Sequence, residues 1–342
     1  MTRRALDAEA GAKIAREQPV EAGADATGHA DVAGSAAGPG VPDARSPAGD
    51  RFRHDGLFWR RLAHWGSTRA PRWWRRVGPA IVGALVFGLL RENRRSALAN
   101  VRRVRGGAGA VRDAARTLAL FVEFAYCVSE AFELAAPDGD PFEIEAPDAP
   151  EPELPRDRGL IVLTSHFGSW EVGARVMQRF ARPVNVVMAR ESNATAEAFQ
   201  QRVRELSGLR VIHSDSSLFS SFNMIHALRR GEVIAMQLDR SAPGQVTREV
   251  EFFGRPAPFQ LGPFALARMA GVPLWPVFVA RTGRRRYRVL LEPMRTIDRH
   301  ASESEMLAVM AEVVRSFEQR VREYPGQWFQ FRRFWPQSAN RP

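Results

Sequence analysis

Residues 159–180 read GLIVLTSHFGSWEVGARVMQRF: an apolar run, a histidine, then apolar residues at helical spacing. GLIVLTS is short, continuous and rich in branched side chains, the pattern of a buried strand, and it predicts a strand ending near Ser165. SWEVGARVMQRF predicts the helix that follows, with Ser169 as its N-cap. His166 then stands in the turn at the carboxyl end of a strand, the edge at which open α/β sheets bind ligands. Glu171 lies five positions further on. In one continuous helix the two side chains would diverge by about 140°. With a turn between them they converge, and Gly168 permits the bend. A neutral imidazole accepts a proton from a hydroxyl near neutral pH, provided its other nitrogen is held by an acceptor. Glu171, in the first helical turn, is the expected acceptor, favoured as an anion by the helix N-terminus. The pair forms the His–acid half of a triad whose nucleophile is the substrate's own hydroxyl. The plainer reading is a histidine and a glutamate that only cap and complement a helix. Ser165 and Ser169 flank the histidine, but there is no G-x-S-x-G elbow of a serine hydrolase.

Outward from this stretch the pattern alternates. VNVVMA, LRVIH, VIAMQL, LWPVFVA and YRVLLEP read as further strands. Helical spacing occupies 170–181, 194–207, 217–230, 261–271 and 302–323. The expected fold is α/β, with a mainly parallel central sheet flanked by helices, over residues 96–336. Three other places bear on a site. Arg190 follows VNVVMA at a second strand end, where it would hold a phosphate or a donor group, or remain a solvated loop arginine. Asp239 ends VIAMQL; it orients Arg190 or an acceptor, or it begins the turn SAPG. EFFGRPAPF carries Phe253 and Gly254, which line a substrate path or belong to the core. GGAGAVR at 106–112 is no dinucleotide fingerprint, because no strand precedes it.

Upstream, residues 1–50 are Ala, Gly, Asp and Pro with few large apolar side chains, and are expected to form a disordered tail without an export signal. Residues 51–95 hold a charge-free run of fourteen, VGPAIVGALVFGLL at 77–90. As a helix it would be roughly 21 Å long, short of a hydrocarbon core of about 30 Å. Arg69, Arg72, Arg75 and Arg76 precede it, and Arg91, Arg94 and Arg95 follow, so both ends favour the same side of a bilayer. Trp73 and Trp74 add rings that seek an interface. The segment is expected to dip into one leaflet; the competing reading is a buried helix packed through the small residues Ala80, Ala84 and Gly88. Residues 337–342 form a short C-terminal tail.

The formal net charge is +11, and Lys13 is the single lysine, so the excess is arginine. Such a chain suits an anionic membrane, an acidic protein partner or nucleic acid. Interleaved Trp and Arg in RAPRWWRR leave open a nonenzymatic nucleic-acid-binding protein, although no recognised motif for it occurs and no nucleic-acid partner is expected. Cys127 is the sole cysteine and the seven histidines are scattered, which predicts no intramolecular disulfide, a reducing compartment and no structural metal; no cofactor is expected either.

SHFGSWEVGARVM resembles the signature block of the bacterial lipid A biosynthesis acyltransferases, the late lauroyl and myristoyl transferases, and of the related phosphatidylinositol mannoside acyltransferases. These belong to the glycerolipid and lysophospholipid acyltransferase-like enzymes with an H-x4-D/E motif. The resemblance continues in order through VVMARESNATAEAFQQRVRELSGLRVI, through LRRGEVIAMQLDRSAPGQVTREVEFFGRPAPFQLGPFALARMAGVPLWPVFVAR, and through YPGQWFQFRRFWP. It covers roughly residues 55–336. It implies that His166 is the general base and Glu171 its partner, and that Arg190, Asp239, Phe253 and Gly254 bind substrate. It also implies transfer of an acyl chain from acyl carrier protein or acyl-CoA to a hydroxyl of a lipid A precursor or related glycolipid, at the cytoplasmic face of the inner membrane, without an acyl-enzyme. Acylation of another lipid-linked metabolite is the alternative within enzymes. The oxyanion would be met by amides opening the helix at 169–181.

Overall fold

The computed structural model describes residues 64–134, 141–146, 158–177, 182–188, 208–214, 218–241 and 244–335. The tail at 1–50, the first part of the 51–95 segment, Arg190, the helix expected at 194–207 and the tail at 337–342 lie outside the described residues.

Among the described residues, three long helices precede the strands: α1 (Arg72–Leu89), α2 (Arg91–Arg105) and α3 (Ala110–Leu134). Then follow β1 (Glu143–Glu145), β2 (Leu160–Thr164), α4 (Trp170–Met177), β3 (Val184–Met188), β4 (Leu209–His213), α5 (Leu218–Arg229) and β5 (Val233–Gln237). The remainder is β6 (Thr247–Phe252), β7 (Arg255–Gln260), α6 (Gly262–Ala270), β8 (Leu274–Gly283), β9 (Arg286–Leu291) and α7 (Glu303–Glu323). Seven strands make one sheet in the order β1-β9-β8-β2-β5-β3-β4. Every pairing in it is parallel except β8 with β9. The expected α/β fold with a mainly parallel sheet is what forms.

β2 lies between β5 and β8, with Leu160 beside Val233 and Ile161 beside Leu274. A strand covered on both faces needs apolar residues at successive positions, which is why LIVLT shows no polar alternation. Ile161 and Leu163 join the larger core with Phe278, Phe317 and Trp328. Leu160 and Val162 join the opposite core with Val172, Val176 and Trp275. α7 covers the first face through Met306, Met310, Val313, Val314, Phe317 and Val321, spaced for one helical stripe. Its start is fixed by a capping box between Ser302 and Glu305.

Residues 247–260, where the sequence reading names no strand, form a separate two-stranded hairpin, β6–β7. Phe253 and Gly254 form its two-residue turn, with φ of 51° and 71°. Two consecutive positive φ values make the turn that matches strand twist, and Gly254 adopts its share without strain. Both phenylalanines belong to the core: Phe252 is fully buried and stacks on Phe317 at 5.4 Å, and Phe253 is buried beside it with the ring centroids 4.8 Å apart.

α1 packs along α3. A Cβ on Gly83 would stand 2.7 Å from Val122 Cα, so the two backbones touch there. The buried small residues of α1 are Gly78, Pro79 and Gly83, of which Gly83 makes this contact and Gly78 lies under the Trp74 ring, while Ala84 and Gly88 are exposed. The stripe expected at Ala80, Ala84 and Gly88 is therefore about one position off in helical phase. The apolar residues of the run are too evenly distributed for periodicity to choose the buried face. α3 is tied to the sheet by ions: Arg281 pairs with Glu123 and Glu130, Arg285 with Glu133, and Tyr287 donates to Glu130 at 2.6 Å.

Candidate active site

The turn after β2 is held from three sides. Phe329 N donates to His166 O at 2.7 Å, Gly168 N to Gln327 O at 2.9 Å, and Ser169 N to Val279 O at 3.2 Å. Gly168 has φ +55°, and a Cβ there would fall 1.7 Å from Val279 O. No other residue fits so close to β8, which explains the glycine two positions after the histidine. α4 then starts with Ser169 as the N-cap that sequence reasoning expected, accepting from Val172 N at 3.4 Å. Two of the amides opening this helix, those of Ser169 and Val172, are thus already engaged.

This turn places His166 against the end of β5. His166 Nδ1 meets Asp239 Oδ1 at 2.9 Å, and the His166 backbone N–H donates to both carboxylate oxygens, at 3.0 and 3.2 Å. Trp328 Nε1 donates to Asp239 Oδ2 at 2.9 Å. The Asp239 side chain is wholly buried, while that of His166 keeps 20% of its surface exposed. Burial opposes ionisation of Asp239. Electrostatic attraction to the His166 ring, hydrogen bonds from His166 and Trp328, and the Arg240 guanidinium outweigh it and hold the carboxyl below its ordinary value. An ionised carboxylate only accepts, so Nδ1 carries the proton and Nε2 is the nitrogen left to take one.

Sequence reasoning put Glu171 opposite the imidazole and Asp239 among the substrate contacts. In the structure Asp239 occupies Nδ1, and Glu171 Oε2 receives the Ser169 hydroxyl at 3.3 Å from the first turn of α4. Arg190 lies outside the described residues. Phe253 and Gly254 sit at the tip of the β6–β7 hairpin, where Phe253 N donates to Glu318 Oε2 at 2.7 Å and Arg322 lies 4.6 Å from the Phe253 ring. They are thus tied to α7, and no contact brings them to the imidazole among the described residues.

Trp328 and Gln330 belong to the site and were missed. The stretch QWFQFRRFW reads as aromatic packing, and nothing local marks one indole N–H as a partner of a carboxylate 89 residues away. Gln330 Nε2 donates to Asp239 O at 3.1 Å, and the segment carrying both residues is itself held by Asn100 of α2. Asn100 Nδ2 donates to Gln330 O at 2.9 Å and Arg332 O at 2.8 Å, and Asn100 Oδ1 accepts from Phe334 N at 3.2 Å. No group of three His, Cys, Asp or Glu side chains is placed to hold a metal ion among the described residues.

An imidazole steadied by a buried carboxylate, partly open to solvent, can take a proton from a hydroxyl and return it to a leaving group. The sequence model of a bacterial lipid A biosynthesis acyltransferase matches residues 56–337. No curated protein matches the chain.

Proposed function

The chain belongs to the bacterial lipid A biosynthesis acyltransferase family and is an acyltransferase, and we propose that it moves a fatty acyl chain from a thioester of acyl carrier protein or coenzyme A to a hydroxyl of a lipid A precursor or related glycolipid. The observation that carries this reading is the contact of His166 Nδ1 with buried Asp239 at the carboxyl end of a parallel strand. The acceptor hydroxyl gives its proton to His166 Nε2 as its oxygen attacks the thioester carbonyl. The tetrahedral intermediate collapses, the C–S bond breaks, and the imidazolium returns the proton to the departing sulfur. Asp239 keeps the ring in the tautomer needed and stabilises the imidazolium. Glu171, at the first turn of α4, acts on the acceptor side of the same turn.

An acyl-enzyme is not needed. Cys127 is buried in the α1–α3 region, and burial, followed by the charge of Glu123, pushes its thiol well up, which disfavours the thiolate. Direct transfer therefore rests on the substrate's nucleophile.

Work at the cytoplasmic face of the inner membrane is part of the proposal. Trp73, Val77, Ile81, Leu85 and Leu89 recur every four residues along α1 and are 44–71% exposed. Arg72, Arg76 and Arg91 are exposed at its two ends. No helix is long and apolar enough to cross a membrane among the described residues. A helix of this kind suits the plane of the interface, with its apolar side in one leaflet and its arginines at anionic headgroups. The net positive charge also suits an acidic donor carrier.

The test is transfer of a labelled acyl group to extracted lipid by wild type and by His166→Ala. The variant is expected to bind anionic vesicles normally and to lose transfer by several orders of magnitude. Transfer by the variant within tenfold of wild type would sink the proposed mechanism. Mass spectrometry of lipids from cells with and without the protein identifies the acceptor. A gain of one acyl group on a lipid of another class would replace the lipid A precursor.

A further inference from the structure

Residues 327–330 pass beside the His166–Asp239 pair, and each of them touches the pair or its turn. Gln327 O accepts from Gly168 N at 2.9 Å and Phe329 N donates to His166 O at 2.7 Å, so that Phe167 and Trp328 face each other in an antiparallel bridge. Trp328 Nε1 donates to Asp239 Oδ2 at 2.9 Å, and Gln330 Nε2 to Asp239 O at 3.1 Å. This strap holds both members of the pair, although it belongs to no helix and to no strand of the sheet.

The strap is itself held partly by rings. Phe329 packs on Phe124 at 5.2 Å, and Phe331 on Phe121 and Phe124 at 4.7 and 5.0 Å. Apolar packing is non-directional and does not fix the strap along its length. Direction comes from two buried amides, Asn100 and Gln327. Asn100 Nδ2 donates to Gln330 O at 2.9 Å and to Arg332 O at 2.8 Å, and its Oδ1 accepts from Phe334 N at 3.2 Å. Three alternate residues of the strap are thus registered on one side chain of α2. Gln327 fastens the other end. Its Nε2 donates to Arg281 O at 2.6 Å, and its Oε1 accepts from Arg281 N at 2.8 Å, near the end of β8. The Arg281 guanidinium is in turn fixed by Glu123 and Glu130 of α3. Among the described residues, neither amide bonds to the side chain of His166 or Asp239.

We propose that Asn100 and Gln327 are positioning residues for the transfer: they fix the strap from both ends, and the strap fixes His166 against Asp239. Loss of either amide leaves buried backbone groups without mates and lets the strap slide on its rings. A slide of about 1 Å takes a 2.9 Å contact out of hydrogen-bond range and costs about a hundredfold in rate. The effect on the ring rests on this geometry alone, and the effect on rate rests on the reaction proposed above.

The test uses Asn100→Ala and Gln327→Ala in the full chain, each alone and each combined with Asp239→Asn. Each single variant is expected to lower kcat by about 10–100-fold, with KM for both substrates within about twofold of wild type. In the Asp239→Asn background the same substitutions should change kcat by less than about twofold, because the contact they serve is already lost. In substrate-free protein the NMR signal of the His166 Nδ1 proton should broaden or vanish in both single variants. Val184→Ala, in a side chain buried at the amino end of β3, is the control for simple loss of stability. It should lower the thermal midpoint and leave both the proton signal and kcat in place. If one amide variant lacks a cooperative thermal transition, the other carries the full set of measurements. A wild-type proton signal in a folded variant, kcat within about threefold of wild type, or full additivity with Asp239→Asn overturns the proposal. Loss of the proton signal in the variants of a protein without any transfer activity would leave the positioning of the ring standing and remove the proposed reaction.

Discussion

Asp239→Asn tests the preparation of the base at its source. The carboxylate meets three donors: His166 Nδ1 at 2.9 Å, the His166 backbone N–H at 3.0 and 3.2 Å, and Trp328 Nε1 at 2.9 Å. The amide has the same shape but exchanges an acceptor for a donor. With its NH₂ toward Trp328, two N–H groups face each other in a fully buried place. With its NH₂ toward His166, the amide donates to Nδ1 and moves the ring proton to Nε2, where the base is needed. Either arrangement leaves one buried donor unmet, a cost of about 1–3 kcal/mol. The wrong tautomer lowers turnover by about 10³–10⁴-fold, as judged from the same change in serine-protease triads. That is a rise of roughly 4–5.5 kcal/mol in the barrier.

The assay pairs steady-state acyl transfer with thermal unfolding, and follows the Nδ1 proton by NMR. A second signature lies in acid. Although burial opposes it, the Asp239 carboxyl is held below its ordinary value, so its ionised form favours the fold. That contribution is complete above the unfolded-chain value of about 4 and fades as pH falls through the lower folded value. The variant should flatten this acid limb of stability. A folded variant with turnover within tenfold of wild type and an unchanged acid limb would refute the assignment of Asp239 to the ring.

Other expectations concern the turn and the two residues with contrasting roles. Gly168→Ala forces a Cβ to within 1.7 Å of Val279 O at φ +55°, and should cost at least about 3 kcal/mol, read from the urea midpoint. An unchanged midpoint would mean that the turn does not press on β8. Glu171→Ala should lower turnover by at least about a hundredfold while the His166 Nδ1 proton signal persists. Loss of that signal would place Glu171 on the ring rather than on the acceptor. Cys127→Ser should cost about 1 kcal/mol in the buried cluster and leave turnover nearly unchanged. A large loss with the fold intact would revive a covalent intermediate.

Much of the fold was legible because it rests on local periodicity. The run that became β2 is apolar almost throughout because both faces of the sheet are covered there, the runs of β3, β4, β5, β8 and β9 are apolar at most positions, and the stripe of α7 follows the helical repeat. The hairpin β6–β7 escaped because its charged residues and prolines do not mark a half-buried strand. The buried face of α1 escaped because its apolar residues surround the axis, leaving only close backbone contact at Gly83 to choose it.

The histidine at a strand end, the bend at Gly168 and the cap at Ser169 are all local facts, so the residues alone determined where the candidate site lies. Which carboxylate serves the imidazole was not local. Asp239 arrives from 73 residues away because β5 pairs with β2 in parallel, bringing their carboxyl ends side by side. Trp328 arrives from 89 residues away because Asn100 holds its segment against that edge. Spacing along a chain records which side chains share a helix or strand face. The partner of a buried charge is chosen by sheet order and by the need of every buried donor and acceptor for a mate, and those are properties of the packed molecule.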